Sequence, residues 1–246
     1  MISAMLAVAL GVAKPLPGLA EQLAANRTDL SVREARLAGP GAAVLAAATD
    51  GAQFVFLGED HGVAQVAQLA RALYALLQPR EFGRNGYNSN VQRSLLMRQY
   101  FGAGERAESG RKILLKGGGE HAFKGLNPLR NRDLGNFVAE LAEGRQQRSV
   151  HILMFAASGK QLAFSGPGKP MKATPIKLTS KDSPLPGVKP LIEIAARHPD
   201  SWSLFDLRPK FSSLGRVEPE MEKVLYGFDL VIVVPKGEAS HEIGAG

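Results

Sequence analysis

The chain carries the stretch Phe54-Val55-Phe56-Leu57-Gly58-Glu59-Asp60-His61-Gly62, in which a hydrophobic run ends at a glycine, two carboxylates and a histidine. The β-branched and aromatic residues of this run predict a short buried strand over residues 53–58. Polar residues directly after such a strand lie at its carboxyl end, where open α/β sheets bind ligands. The stretch therefore predicts an α/β fold with a candidate site at the edge of its sheet.

A similar block, Lys112-Ile113-Leu114-Leu115-Lys116-Gly117-Gly118-Gly119-Glu120-His121, follows later in the chain. Its first five residues predict a second short strand. Both blocks end in the spacing G-x-x-H, from Gly58 to His61 and from Gly118 to His121. Two such blocks predict one site made of two histidines and several carboxylates.

The rest of the chain alternates between helical and strand patterns. Helices are predicted over residues 17–27, 40–49, 62–79, 91–102, 134–141, 191–197 and 218–226, and strands over 149–155, 202–207 and 228–234. A long loop rich in glycine, proline, lysine and serine spans 157–190, with at most a short strand at 161–165. The alternation predicts an α/β fold, a mostly parallel sheet flanked by helices with the site at the C-terminal ends of the strands, within a single domain over 15–246.

The composition limits the possible partners. There is no cysteine, which excludes disulfides, thiolate metal sites and a cysteine nucleophile. The net charge of +7 favours a small-molecule or other anionic substrate. Nucleic acid is not expected, because aromatic residues rarely interrupt the lysines of the basic loop. Nothing in the sequence indicates the oligomeric state.

The N-terminal segment 1–14 is hydrophobic and resembles the central part of an export signal. It is too short to cross a bilayer, which takes about 20 apolar residues. It favours an exported or periplasmic location over a cytoplasmic one, with a buried N-terminal helix as the alternative.

Histidines and carboxylates at strand ends support two kinds of chemistry. A carboxylate–histidine pair such as Glu59 and His61 can act as a general base, with His121 as a second base. Alternatively, a divalent metal such as Zn²⁺, Mn²⁺ or Fe²⁺ can activate water. The candidate metal ligands are Glu59, Asp60, His61, Glu120 and His121. The structural alternative is that His61 caps its helix, Glu120 is solvated and each glycine only serves a turn. Metal-free chemistry is equally open.

Two cations are candidates for substrate binding. Arg93 is either exposed on its helix or directed toward an anionic substrate. Lys116, at the end of the second strand, is the other group expected to hold a carboxylate or an oxyanion. His151 lies within a strand and is expected to be a core histidine. The chain contains neither a phosphate-loop motif nor a G-x-S-x-G nucleophile elbow.

These motifs resemble those of the superfamily of erythromycin-esterase-like, ChaN-type haem-uptake and Tiki/TraB proteins. Residues 58–62 look like the ChaN form of the leading motif, G-E-x-H followed by glycine. The paired G-x-x-H motifs are similar to those of the Tiki/TraB group. Residues 93–97 resemble the R-x-x-x-M helix of the esterase-like branch.

The resemblance implies an α/β fold with Glu59, His61 and His121 at the centre of the site and Arg93 in support. The activities it implies are metal-independent lactone hydrolysis, metal-dependent peptide cleavage and haem binding, among which a shared fold does not choose. Other members carry a further strand and a helical segment between the motif blocks, where this chain has only residues 80–90. The chain therefore resembles a trimmed member.

Three functions follow as hypotheses. The first is a hydrolase in which water activated by Glu59 and His61 attacks an ester, lactone or amide. The second is a protein that binds haem or another anionic ligand through the same histidines without turnover. The third is a non-catalytic remnant that keeps only the fold.

Overall fold

The computed structural model describes residues 18–59, 61–77, 90–107, 112–163, 170–178, 187–208 and 217–240, and of residues 90–93 only the backbone. The predicted N-terminal segment 1–14, the candidate ligand Asp60 and residues 80–89 lie outside these ranges. So do parts of the predicted long loop, residues 164–169 and 179–186.

Nine strands and seven α-helices make up the described part of the chain. The strands are β1 (Arg27–Arg33), β2 (Arg36–Ala38), β3 (Phe54–Glu59), β4 (Ile113–Gly118), β5 (Ser149–Ala156), β6 (Lys160–Ala163), β7 (Lys172–Pro175), β8 (Trp202–Asp206) and β9 (Leu230–Val234). The helices are α1 (Leu19–Ala25), α2 (Pro40–Thr49), α3 (Ala64–Leu77), α4 (Asn90–Ala107), α5 (Leu134–Gly144), α6 (Lys189–Ala195) and α7 (Pro219–Gly227). None of these helices is long and apolar enough to cross a membrane.

Seven of the strands form one sheet in the order β2-β1-β8-β9-β5-β3-β4. β3 pairs in parallel with β4 and β5, and β5 pairs in parallel with β9. β8, β1 and β2 continue the sheet in antiparallel pairs. The predicted α/β class is thus confirmed, but the sheet is parallel only over β4, β3, β5 and β9. The hairpin β1–β2 was not predicted.

Side chains of the central strands alternate between the two faces of the sheet, as the pleat requires. Phe54 and Phe56 of β3 enter one hydrophobic core, which α4, α5, α6 and α7 cover. Val55 and Leu57 enter a second core, which α2 and α3 cover. A strand buried on both faces is expected to be continuously apolar, which explains the run that opens the first motif block.

Helices α3 and α4 lie on opposite faces of the sheet although both belong to the connection between β3 and β4. An ion pair between Glu105 and Arg145, 2.6 Å from Oε1 to Nη1, joins α4 to α5. It joins the C-terminal part of α4 to the residue that follows α5.

Part of the predicted long loop is an ordered hairpin. β6 and β7 pair in antiparallel fashion, and β6 corresponds to the short strand predicted at 161–165. The backbone N–H of Leu162 donates to the carbonyl oxygen of Gly62 at 2.9 Å. This hydrogen bond brings the hairpin, with Lys160 and Lys172, next to the residue that follows His61.

Candidate functional site

The two motif blocks lie side by side in the sheet. In the parallel pair β3–β4, Gly58 is opposite Gly117 and Glu59 is opposite Gly118. A short 3₁₀ turn, Gly119–Ala122, follows β4 directly and carries His121. We call it the histidine turn. The sequence prediction that the two G-x-x-H blocks would be brought together agrees with this register.

Gly118 separates the two histidine rings. A Cβ atom at this position would lie 3.0 Å from Nε2 of His61 and 3.5 Å from Cδ2 of His121. Both imidazoles therefore border the same small space above the Gly118 backbone. A larger residue at position 118 would fill that space.

His61 is held by the carboxylate at the end of β3. Its Nδ1 lies 3.1 Å from Oε1 of Glu59, and the ammonium of Lys116 donates to the same oxygen at 2.7 Å. Burial raises the pKa of the Glu59 carboxyl, but the hydrogen bonds from His61 and Lys116 outweigh it and leave that pKa below its ordinary value. The side chain of His61 is 64% exposed and that of Glu59 only 6%, so the ring reaches out from a buried anchor.

His121 is held by a different carboxylate, that of Asp133. The distance from Nδ1 of His121 to Oδ2 of Asp133 is 2.5 Å, and both side chains are almost fully buried. The other oxygen of Asp133 caps α5 by accepting the N–H of Leu134 at 2.7 Å. Burial raises the pKa of Asp133, but the hydrogen bonds from His121 and Leu134 outweigh it and leave that pKa below its ordinary value.

The two carboxylates determine the tautomers of the histidines. An ionised carboxylate only accepts hydrogen bonds, so Nδ1 carries the proton in both rings. The lone pair is then on Nε2. In His61 this atom adjoins Gly118, and in His121 it is the ring neighbour of the Cδ2 that adjoins Gly118. The space above Gly118 is thus bordered by Nε2 of His61 and by the Cδ2 edge of the His121 ring.

Close packing fixes the histidine turn on the sheet. A Cβ at Gly58 would lie 2.6 Å from the Cβ of Ala122, so glycine at the end of the first block lets the turn approach β3. From the neighbouring strand, Nδ1 of His151 donates to the carbonyl oxygen of Ala122 at 2.7 Å. Complete burial, with a contribution from the Lys124 ammonium, lowers the pKa of His151 to about 4. His151 is therefore the neutral core histidine that the sequence predicted.

The structure gives less information on the other predicted site residues. Glu120 is half-buried in the histidine turn, and its backbone oxygen accepts from Nδ2 of Asn127 at 3.2 Å. Arg93 lies in α4, but its side chain is outside the described part, and Asp60 is outside it altogether. Lys116 contacts Glu59, and its predicted role in holding substrate stays a prediction.

Asp133 is the residue that sequence reasoning missed. Its position directly before the predicted helix 134–141 indicates only a helix cap, a role that it does fill. Its contact with His121 depends on the path of the chain from the histidine turn to the start of α5. The available signal was its position 12 residues after His121, at the start of the next helix.

The described residues do not fit a metal centre. No group of three histidine, aspartate or glutamate side chains among them could hold one ion. The ammonium of Lys116, 2.7 Å from Oε1 of Glu59, would compete with a cation for this carboxylate. Both Nδ1 atoms already face carboxylates. The predicted metal set, which includes Asp60, and the haem alternative stay predictions.

No protein-family model matches the chain, and no curated protein matches it. Three solved structures are similar to it. A Bacillus cereus protein is 18% identical over 60% of this chain and 38% of its own, with a TM-score of 0.40. The erythromycin esterase EreC, in its open conformation, is 16% identical over 73% and 47% of the two chains, with a TM-score of 0.41. A succinoglycan biosynthesis protein is 19% identical over 72% and 45%, with a TM-score of 0.41.

The chain spans less than half the length of each of these three proteins. An erythromycin esterase is among the similar structures, in agreement with the resemblance predicted from the motifs. At these identities and TM-scores the similarity assigns neither an activity nor a substrate to this chain.

Proposed function

We propose that the protein is a hydrolase in which histidine-activated water attacks an ester, lactone or amide. The observation that carries the proposal is the pair of imidazoles at Gly118, each with a carboxylate at Nδ1, which leaves Nε2 as the atom that takes or gives a proton. Hydrolysis needs one group to take a proton from water and another to give a proton to the leaving group. Two histidines beside one space match that need.

His121 is better suited to activate water than His61, which reverses the assignment suggested by the sequence. Its partner Asp133 has no cation bound among the described residues, whereas Glu59 shares its charge between His61 and Lys116. An uncompensated buried carboxylate stabilises the imidazolium that forms when Nε2 takes the proton. The water oxygen then bonds to the carbonyl carbon.

His61 would complete the reaction. Its ring is largely exposed, so it can reach the departing oxygen or nitrogen at the mouth of the site. In its doubly protonated form, with Glu59 as the counter-ion at Nδ1, it donates the Nε2 proton to that atom as the bond from the atom to the carbonyl carbon breaks. Lys116 places a cation near the same space, where it can stabilise the oxyanion of the tetrahedral intermediate. Arg93 remains a second candidate for holding an anionic part of the substrate.

Water is the nucleophile that the sequence favours. Cysteine is absent, and no serine elbow motif occurs. Because the motifs resemble those of erythromycin-esterase-like proteins, ester and lactone hydrolysis are the reactions to test first. Fold-level kinship alone would not choose among the activities of that superfamily.

The proposal is tested with purified full-length protein and a panel of p-nitrophenyl esters, γ-lactones and p-nitroanilides. Replacing His121 with Asn or His61 with Asn is expected to lower kcat by roughly 100-fold or more, since each removes one proton-transfer group. His198→Asn is the matched control, because His198 is exposed at the end of α6, away from both motif blocks. It should leave kcat unchanged.

Two outcomes would contradict the proposal. One is equal turnover by the His121→Asn, His61→Asn and His198→Asn proteins, since the two site histidines would then not be needed for hydrolysis. The other is a folded wild-type protein that turns over no member of the panel. A haemin titration of the same proteins would then test the alternative, and a Soret shift lost in both site variants would favour haem binding. Activity that disappears with a chelator and returns with added metal would reopen the metal prediction.

A further inference from the structure

Beside the candidate site, the loop between the histidine turn and α5 presents hydrophobic side chains to solvent. Leu126 is 54% exposed and Leu129 is 49% exposed. The loop leaves the turn that carries His121 and returns at Asp133, so its two ends are the two partners of the buried pair. The exposed leucines therefore stand at the rim of the site.

The loop is held rigidly with these leucines pointing outward. Asn127 is buried, donates from Nδ2 to the backbone of Glu120, and accepts the N–H of Asn131 at 2.9 Å. Its backbone also bonds to the backbones of Arg130 and Asn131. Arg130 adopts a φ of +59°, which is costly for a residue other than glycine. Such a conformation is retained only where the surroundings enforce it.

Helix α4 adds a third exposed leucine to the same rim. Arg98 lies over the ring of Phe137 and donates from Nη2 to the carbonyl oxygen of Arg132. Leu95 precedes Arg98 by three residues, which places the two on the same side of α4. Leu95 is 53% exposed. We call this surface, made of Leu95, Leu126, Leu129, Arg130 and Arg132, the rim patch.

The charges of the rim patch are all positive. Residues 125–132 contain two arginines and no acidic residue. Both arginines are exposed, and the ion pair of Arg132 with Glu140 is itself largely solvated, with both side chains more than half exposed. Solvated pairs of this kind are weak and leave the arginine available to other anions.

We propose that the rim patch docks the protein on an anionic lipid surface. Leu126 and Leu129 enter the boundary between headgroups and acyl chains, while Arg130 and Arg132 contact lipid phosphates. The positive charge of the rim patch complements anionic headgroups, and its exposed leucines suit the apolar part of a bilayer. Docking there brings the space above Gly118 close to the bilayer, and it does not depend on whether the site is catalytic.

The test is sedimentation of the full chain with vesicles of phosphatidylcholine alone and of phosphatidylcholine with phosphatidylglycerol at 3:1. Wild type is expected to bind the anionic vesicles at least tenfold more tightly than the neutral ones, since basic residues near the surface favour anionic lipid. The double variant Leu126→Ser/Leu129→Ser, whose net charge is unchanged, is expected to lose roughly tenfold or more of the partition coefficient.

Matched controls separate the rim patch from general basicity. Tyr74→Ser/Leu76→Ser removes two comparably exposed hydrophobic side chains from α3, on the other face of the sheet. Arg130→Gln/Arg132→Gln is compared with Arg33→Gln/Arg36→Gln in the hairpin β1–β2, which removes the same number of charges. The rim-patch variant of each pair should bind more weakly than its control, with circular dichroism confirming that all four proteins fold.

The proposal is overturned if wild type fails to bind anionic vesicles, or if each rim-patch variant binds as well as its control. Equal loss in both arginine variants with no effect of the leucines would show attraction by net charge alone. Because vesicle binding is measured without any substrate, its failure is distinct from a failure of the proposed hydrolysis.

Discussion

The two oxygens of Asp133 serve different neighbours. Oδ1 caps α5 and Oδ2 holds Nδ1 of His121, so one side chain fixes both a helix start and a tautomer. An amide at this position offers one acceptor instead of two. Asp133 therefore links the stability of α5 to the chemistry of His121.

Replacing Asp133 with Asn is expected to lower kcat by roughly 100-fold or more, because the imidazolium at His121 loses its counter-ion. The free energy of unfolding should fall by about 1–2 kcal/mol, because the amide cannot supply a charged oxygen to Nδ1 of His121 while it caps α5. Steady-state kinetics and urea unfolding measure the two effects. Glu140→Gln, which changes an exposed carboxylate of the same helix, is the control and should alter neither.

The pH dependence of that variant has a definite sign. The pKa of Asp133 is lowered in the folded protein from an ordinary value of 3.8. Its charge therefore stabilises the fold above the unfolded pKa, and this contribution is lost as the pH falls through the folded pKa. The stability difference between wild type and Asp133→Asn should be full at neutral pH and shrink below about pH 4. A difference that grows on acidification would contradict this account.

Sequence reasoning identified some residues of the candidate site and missed others. Glu59, His61 and His121 could be predicted because each closely follows a strand with glycine beside it. Asp133 could not, because an aspartate before a helix is common and its second contact is made through tertiary structure. Lys116 was predicted as a site residue, but its contact with Glu59 was not, because that contact follows from strand register rather than from sequence spacing.

At the scale of elements, the histidine turn depends on close approach to β3. Gly58→Ala would place a methyl group 2.6 Å from the Cβ of Ala122 and 3.2 Å from the Cα of Gly119. Overpacking of this kind costs about 1–3 kcal/mol and shifts the backbone. We expect that loss in urea unfolding, together with a lower kcat as His121 moves.

Gly144→Ala provides the comparison for this variant. Gly144 ends α5, and a Cβ there meets nothing within 4 Å. Alanine should be neutral or stabilise by up to about 1 kcal/mol, because glycine is a poor helix former. If both variants behaved alike, the close approach at Gly58 would not be what positions the turn.

The strands that sequence reasoning found are those with continuous hydrophobic runs. The hairpin β1–β2 lacked that signal, since only Leu30 of β1 is buried. Its turn residues, Glu34 and Ala35, both have positive φ although neither is the glycine or asparagine that usually marks such a turn. The antiparallel strands β1 and β2 were therefore not predicted, and the sheet was expected to be more parallel than it is.

At the scale of the whole molecule, His151 makes stability sensitive to acid. Unfolded protein takes up a proton at this histidine below pH 6.5, whereas the folded protein does so only near pH 4. The folded-state pKa is depressed, so stability present above pH 6.5 is lost as the pH falls toward 4. This group should contribute a loss of about 3 kcal/mol over that interval.

His151→Asn tests this contribution, because asparagine keeps a donor near Ala122 and does not titrate. Its free energy of unfolding should fall less than that of wild type between pH 6.5 and 4. His198→Asn removes an exposed histidine and should follow the wild-type curve. Parallel curves for all three proteins would show that His151 is not the acid-sensitive group.

The two halves of the candidate site differ in how far apart their partners lie along the chain. Asp133 follows His121 by 12 residues, whereas Lys116 follows Glu59 by 57. Short loops close at a smaller entropic cost and on a faster timescale. During folding, the contact between His121 and Asp133 can therefore form locally. The contact between Glu59 and Lys116 forms only after β3 has paired with β4. When the pairing of β3 with β4 is partly lost, the contact between Glu59 and Lys116 is expected to break before the contact between His121 and Asp133.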